Sequence, residues 1–177
     1  MAQICFEVPA LSRKTIFESA DRMRQVFRVE GHFFPICKVL EFALPSVWPD
    51  FALTVGAIAE MGDCHGETVP ERTEIRLRED VYAGLRAGKG RDRFTAAHEL
   101  GHLLLHGSVG LARRMVASSL IKPYRNSEWQ ANMFAGALLV PVSAVRSAGT
   151  PEQLAQMCGV TEDAAKVRIS ILKTMGA

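Results

Sequence analysis

His98-Glu99-Leu100-Gly101-His102 constrains this chain more than any other stretch of it. On an α-helix, positions i and i+4 fall on one face about a turn apart, so both imidazoles can reach a single divalent ion while Glu99 leans over its open side. The run from Phe94-Thr95-Ala96-Ala97 to Leu105 favours a helix, and its Ala/Leu-rich surface has no other need of two histidines. Histidines are costly to bury unless paired or metal-bound. The bare five-residue pattern recurs by chance in many helices, so the setting carries the weight.

A mononuclear zinc site takes a third protein ligand and leaves a fourth position open. Glu128 is the expected third ligand. It opens a second helical pattern, Ser127-Glu128-Trp129-Gln130-Ala131-Asn132-Met133-Phe134-Ala135, which Asn126 or Ser127 can cap. Asn132 shares a face with Glu128, so its side chain can bond the metal-free nitrogen of His98 or His102 and fix that ring. His106 competes as a ligand, yet a straight helix sets it roughly 12 Å from His98, too far for one tetrahedral ion. It is expected near the rim of the cleft, with stabilisation of the helix C-terminus as its ordinary role. Cys64-His65 has no matching Cys/His pair and reads as an exposed loop.

This donor set points to metal-assisted hydrolysis. Zinc would acidify a bound water and polarise a carbonyl, and Glu99, not itself a ligand, would act as general base. A side chain stabilising the oxyanion is also expected; His106, Tyr124 and Tyr82 are the available types, and the sequence does not choose among them.

The chain has 177 residues, 48% of them hydrophobic, enough for one good core or a core plus a small appendage. No apolar run approaches the roughly 18 residues of a membrane span, and the first seven residues do not read as a signal peptide, so no membrane contact and a cytoplasmic location are expected. Cys5, Cys37, Cys64 and Cys158 are irregularly spaced and are expected as reduced thiols. A formal net charge of +2 removes the electrostatic case for a dedicated nucleic-acid binder. Arg113, Arg114, Lys122 and Arg125 cluster between the two motif helices, either as a solvated connector or as a lid that recognises an acidic patch on a protein.

Along the chain, an amphipathic helix is expected from about Ser12 to Val29, ended by Gly31, with Ile16, Met23, Val26 and Phe27 on one side and Arg22, Arg24 and Arg28 on others. A short helix should run from Pro35 to Ala43 and stop before Pro45. Residues 51–59 and Thr73 to Arg78 read as strands, with Glu67 to Pro70 as a turn between them. The result is an α+β fold in which a small antiparallel or mixed sheet packs on the zinc-binding helix pair. The sheet edge could take an extended peptide by strand addition.

Thr150-Pro151-Glu152-Gln153 is a capping box, Gly159 ends that helix, and Thr161 caps the next, from Glu162 to about Met175. This pair resembles a helix-turn-helix, giving a division into a peptidase-like domain over 1–140 and a helical subdomain over 141–177. Its would-be recognition helix opens on Glu162 and Asp163, which repel phosphate, so packing or docking is favoured over DNA binding.

Residues Arg91 to His106, followed by Glu128 to Pro141, resemble the ImmA/IrrE family of metallopeptidases, a likeness that extends over roughly residues 50 to 174. The strand-like Glu74 to Arg78 and Asp80-Val81-Tyr82 fit it too. Val140 stands where methionine is usual, and Gly136 loosens the second helix. The resemblance implies a zinc peptidase that cleaves a helix-turn-helix repressor or antitoxin supplied as a separate chain, relieving repression of a mobile element, phage or stress regulon. By position it makes His98, His102 and Glu128 the ligands and Glu99 the base. The rival readings are a catalytically silent relative that regulates a repressor by binding, or a toxin-antitoxin component, and then a DNA-binding factor carrying a dead peptidase-like domain.

Overall fold

The computed structural model describes residues 4–107, 114–117 and 120–176. In chain order its elements are β1 (Ile4–Glu7), α1 (Arg13–Val26), α2 (Ile36–Lys38), a π-helical turn over Val39–Ala43, α3 (Leu44–Val47), β2 (Ala52–Gly56), α4 (Ile58–Met61), β3 (Gly66–Val69) and β4 (Glu74–Arg78). There follow α5 (Glu79–Arg86), α6 (Gly90–His106), β5 (Arg114–Ala117), α7 (Ser127–Leu139), α8 (Val142–Ser147), α9 (Pro151–Cys158) and α10 (Glu162–Thr174). The fold is α+β with a small mixed sheet, as the sequence predicts. Strands are ordered β2-β4-β3, with β2 parallel and β3 antiparallel to β4. A separate antiparallel ribbon pairs β1 with β5.

The sheet is held on α6 by alternation: in β4, Ile75 and Leu77 are fully buried while Glu74, Arg76 and Arg78 are half-buried. On its other side α6 packs against α7 through Ala96, Ala97, Leu100 and Leu103, meeting Ala131, Phe134, Ala135 and Leu138 in one continuous core. Close approach of these helices depends on Gly101. A Cβ there would stand 3.1 Å from Phe134 Cδ1 and 3.2 Å from Ala131 Cα. Gly66 does the same for the sheet, since a Cβ on it would lie 3.0 Å from Glu99 Cγ.

The C-terminal caps form where the sequence puts them. Thr150 accepts from Gln153 N, Thr161 accepts from Ala164 N, and Gly159 ends α9 in the left-handed region at φ +63°. Leu154, Cys158, Ala165 and Leu172 join the core built by α6 and α7. Cys37, Cys64 and Cys158 are free thiols. Among the described residues no helix is long and apolar enough to cross a membrane.

Several local expectations fail. Helix α1 stops at Val26, not Val29, because Arg28 turns into the left-handed region at φ +49°, ahead of Gly31. Its expected apolar face is rotated: Val26 is exposed and Arg24 is buried. Arg24 donates to Leu138 O at 2.8 Å, which has no helical donor left at the end of α7, and to Gly31 O at 2.7 Å. The helical segment expected to stop at Ala43 instead continues through Pro45. The π turn pairs Leu44 N with Val39 O, and Pro45 then enters at the first turn of α3, where its missing N–H matters least. Asp80-Val81-Tyr82, read as strand-like, lies in α5. Glu67 to Pro70, read as a turn, contains most of strand β3. The β1–β5 ribbon was not anticipated, for its partners lie more than a hundred residues apart.

Candidate metal centre

Helix α6 carries His98 and His102 one turn apart with their Nε2 atoms 2.9 Å from each other. Asn126 caps α7 by accepting from Trp129 N at 3.0 Å, which fixes the first turn and sets Glu128 over the two rings. The Glu128 Oε2 atom is 3.3 Å from His98 Nε2, and Oε1 is 3.2 Å from His102 Nε2. One ligand atom from each of these three residues lies within 4.8 Å of the others, a group that could hold a metal ion. The N-terminal turn of a helix also favours a carboxylate.

Burial works to raise the Glu128 carboxyl, but hydrogen bonds from His102 and His98 and the charges on both rings outweigh it and hold it far below the usual range. Burial works to lower His98, and there the Glu128 hydrogen bond and the Glu99 and Glu128 charges prevail and raise it. Both shifts express one attraction, a carboxylate facing imidazoles across a short gap.

Glu99 stands beside this trio and is buried. Thr68 Oγ1, on β3, lies 2.9 Å from Glu99 Oε2 and 2.8 Å from the Glu99 carbonyl oxygen, so its single proton can serve either. Burial pushes the Glu99 carboxyl upward against the opposing pull of His98, His102 and Thr68. The cleft above has a volume of about 230 Å³. Gly66, Thr68 and Pro70 form one wall; Phe6 and Val8, which precede α1, form another.

Asn132 Oδ1 lies 3.0 Å from His98 Nδ1. His106, expected near the rim of the cleft, lines it as a buried side chain, with Nδ1 3.1 Å from His102 Nδ1 and Nε2 3.0 Å from Gln130 Oε1. His106 lies one turn beyond His102 on the same face of α6, so its ring points toward α7. Neither tyrosine lines the cleft. Tyr82 donates to Glu41 at 2.6 Å in a separate groove, and Tyr124 is exposed, with its backbone oxygen accepting from Gln130 Nε2. Cys64 is exposed, and the described residues hold no second metal-ligand cluster that includes it or His65. Lys122 and Arg125 are exposed, while Arg113 lies outside the described residues.

Thr68 and Gln130 escape the sequence reading. The β-branched Thr68-Val69 pair is the one signal that could have promoted its segment from turn to strand. For Gln130 there is none, because two of its partners, His106 and Pro9, lie 24 and 121 residues away.

Two imidazole nitrogens and one carboxylate within 4.8 Å of one another, beside an open cleft, match the donor set of a mononuclear zinc site. No curated protein matches the chain. Its fold is similar to that of a Mycobacterium tuberculosis transcriptional regulator, with a TM-score of 0.58 at 14% identity over 85% of this chain. The match takes in 44% of that protein, so this chain spans less than half its length. The family model for the IrrE N-terminal-like domain, peptidase M78, matches residues 65–170, more than half of the sequence and both α6 and α7. On that match and the motifs it contains, the chain belongs to the ImmA/IrrE family of M78 metallopeptidases.

Proposed function

We propose that this chain is a zinc-dependent endopeptidase that cuts a separate helix-turn-helix repressor or antitoxin. The observation that carries the reading is the convergence of His98, His102 and Glu128 beside a buried Glu99. A divalent cation held by that trio would act as a Lewis acid toward the scissile carbonyl and lower the pKa of an attacking water.

The chain's own side chains do the rest. Glu99 takes the proton of the water and hands it to the leaving amine, a task suited to a carboxyl whose pKa burial has raised. When Thr68 donates to Oε2, the Oε1 atom is left to receive that proton. Asn132 holds the His98 ring in place. Strand β3 ends its sheet and lends Gly66 and Thr68 to the cleft wall, so an extended segment of substrate can lie alongside it as a further strand. Arg168 is turned inward onto Val140 O at 3.0 Å, which supports a packing role for α9 and α10 over contact with DNA.

The test is to incubate the purified protein and zinc with a helix-turn-helix repressor supplied as a separate chain, and with a mixed peptide library, reading the products by mass spectrometry. Wild type is expected to cut at a defined bond. Glu99→Gln should retain stoichiometric zinc without turnover, and His98→Ala should lose both. Cleavage by Glu99→Gln at the wild-type rate would overturn the assignment. Repressor binding without cleavage would favour the silent regulatory reading.

A further inference from the structure

A second cavity, with a volume of about 290 Å³, opens where α6, α7 and α10 meet. Its lining is apolar: Phe94 from α6, Met133 and Gly136 from α7, and Ala164, Val167 and Ile171 from α10. Arg168 also borders it, but that side chain is buried, with Nε donating to Val140 O at 3.0 Å and the guanidinium over the Phe17 ring, so its charge is engaged inside the fold. The groove is continuous with the metal centre. Asn132 lines it and also places Oδ1 3.0 Å from His98 Nδ1. Phe94 stands one helical turn before His98 on the same face of α6, and Gly136 one turn beyond Asn132 on α7. The groove therefore starts about 5.4 Å along the helix from the donors, a step that an extended polypeptide covers in about two residues.

Gly136 leaves this space open. Glycine is a poor residue for the middle of a helix and is ordinarily kept there for a packing or functional reason. Among the described residues a Cβ at 136 would meet nothing within 4 Å, whereas one at Gly101 would press on Ala131 and Phe134. On the α10 side, Val167 is 58% exposed. An apolar cavity of about 150 Å³ holds a benzene molecule, so this one has room for a leucine, methionine or phenylalanine side chain. We infer that the groove is a substrate subsite: an apolar side chain one or two residues from the cut bond enters it while the substrate backbone lies at the metal centre. The inference rests on the peptidase reading above and names the class of residue that the site selects. It gives α10 a part in choosing the substrate.

A mixed peptide library cut by the zinc-loaded wild type and read by mass spectrometry should show leucine, isoleucine, methionine or phenylalanine enriched at one fixed position beside the cut. Gly136→Leu fills the groove from a position with open space, so thermal midpoint and zinc affinity should hold. Its kcat/KM for a peptide with leucine at that position should fall about ten- to a hundredfold, and the preference should move to glycine or alanine. Val167→Glu, at an exposed position, should instead draw lysine or arginine there. An unchanged preference in either variant, or cutting with no apolar preference in the wild type, overturns the subsite and leaves the peptidase standing. A capture arm separates the two readings: zinc-loaded Glu99→Gln is immobilised, with and without Gly136→Leu, and the library peptides it retains are sequenced. Retention of apolar peptides that Gly136→Leu abolishes, with no cutting by the wild type, keeps the groove and removes the hydrolysis. Neither cutting nor retention removes both.

Discussion

Thr68 reaches Glu99 because Gly66, two residues earlier on the same strand, has no side chain to hold β3 away from α6. A hydrogen bond to a buried carboxylate contributes about 1.5–3 kcal/mol, enough to hold the side chain in one rotamer. Thr68→Val keeps the shape and deletes the hydroxyl. Turnover should fall about ten- to a hundredfold with zinc content unchanged, as read by steady-state rates beside metal analysis. Equal turnover in the variant would show that Glu99 does not need this partner. The pairing of residues 68 and 99 is invisible in the sequence, where the first sits in what reads as a turn.

At the scale of elements, the site depends on how closely α6 and α7 cross. The period of an α-helix by itself brings His98 and His102 together, and Asn126 caps α7 from within its own first turn, so both helices are legible in the sequence. Their separation is not. It is set where Gly101 lies against Ala131 and Phe134, and that contact carries Glu128 over the histidines. Gly101→Val would push branched carbons into this crossing and should destabilise the fold by about 1–3 kcal/mol, lowering the thermal midpoint and weakening zinc binding together. Loss of zinc affinity without loss of stability would argue against a change in helix spacing. The few residues of strand β3 carry no strong alternation, so the sequence reads as a turn there; packing on α6 and pairing with β4 make it a strand.

At the scale of the whole molecule, three buried arginines among the described residues tie separate segments together through backbone carbonyls. Arg24 joins α1 to the end of α7, Arg168 joins α10 to Val140, and Arg93 on α6 donates to Gly159 O at 2.7 Å, Phe34 O at 2.9 Å and Cys158 O at 3.1 Å. Carbonyls at the ends of α7 and α9 lack helical donors and carry partial negative charge, so they accept a cation. Burial pushes Arg93 and Arg168 down to about 10, which leaves both charged at neutral pH. The Arg93 guanidinium also lies 3.9 Å from the centre of the Phe33 ring. Arg93→Met would strip these carbonyls of their donor and should cost about 3 kcal/mol in urea unfolding; a change below about 0.5 kcal/mol would mean that water replaces it freely.

These scales divide what can be read from the chain. By itself the sequence determined the helix that pairs His98 with His102, the caps at Asn126, Thr150 and Thr161, and the alternation that buries Ile75 and Leu77, because each is settled by residues within a turn or two. Only the tertiary structure decided that Thr68 meets Glu99, that Gln130 fixes His106, and that arginines face inward. Those contacts join residues 24 to 121 positions apart, and what selects them is the packing of whole helices and strands around shared backbone groups.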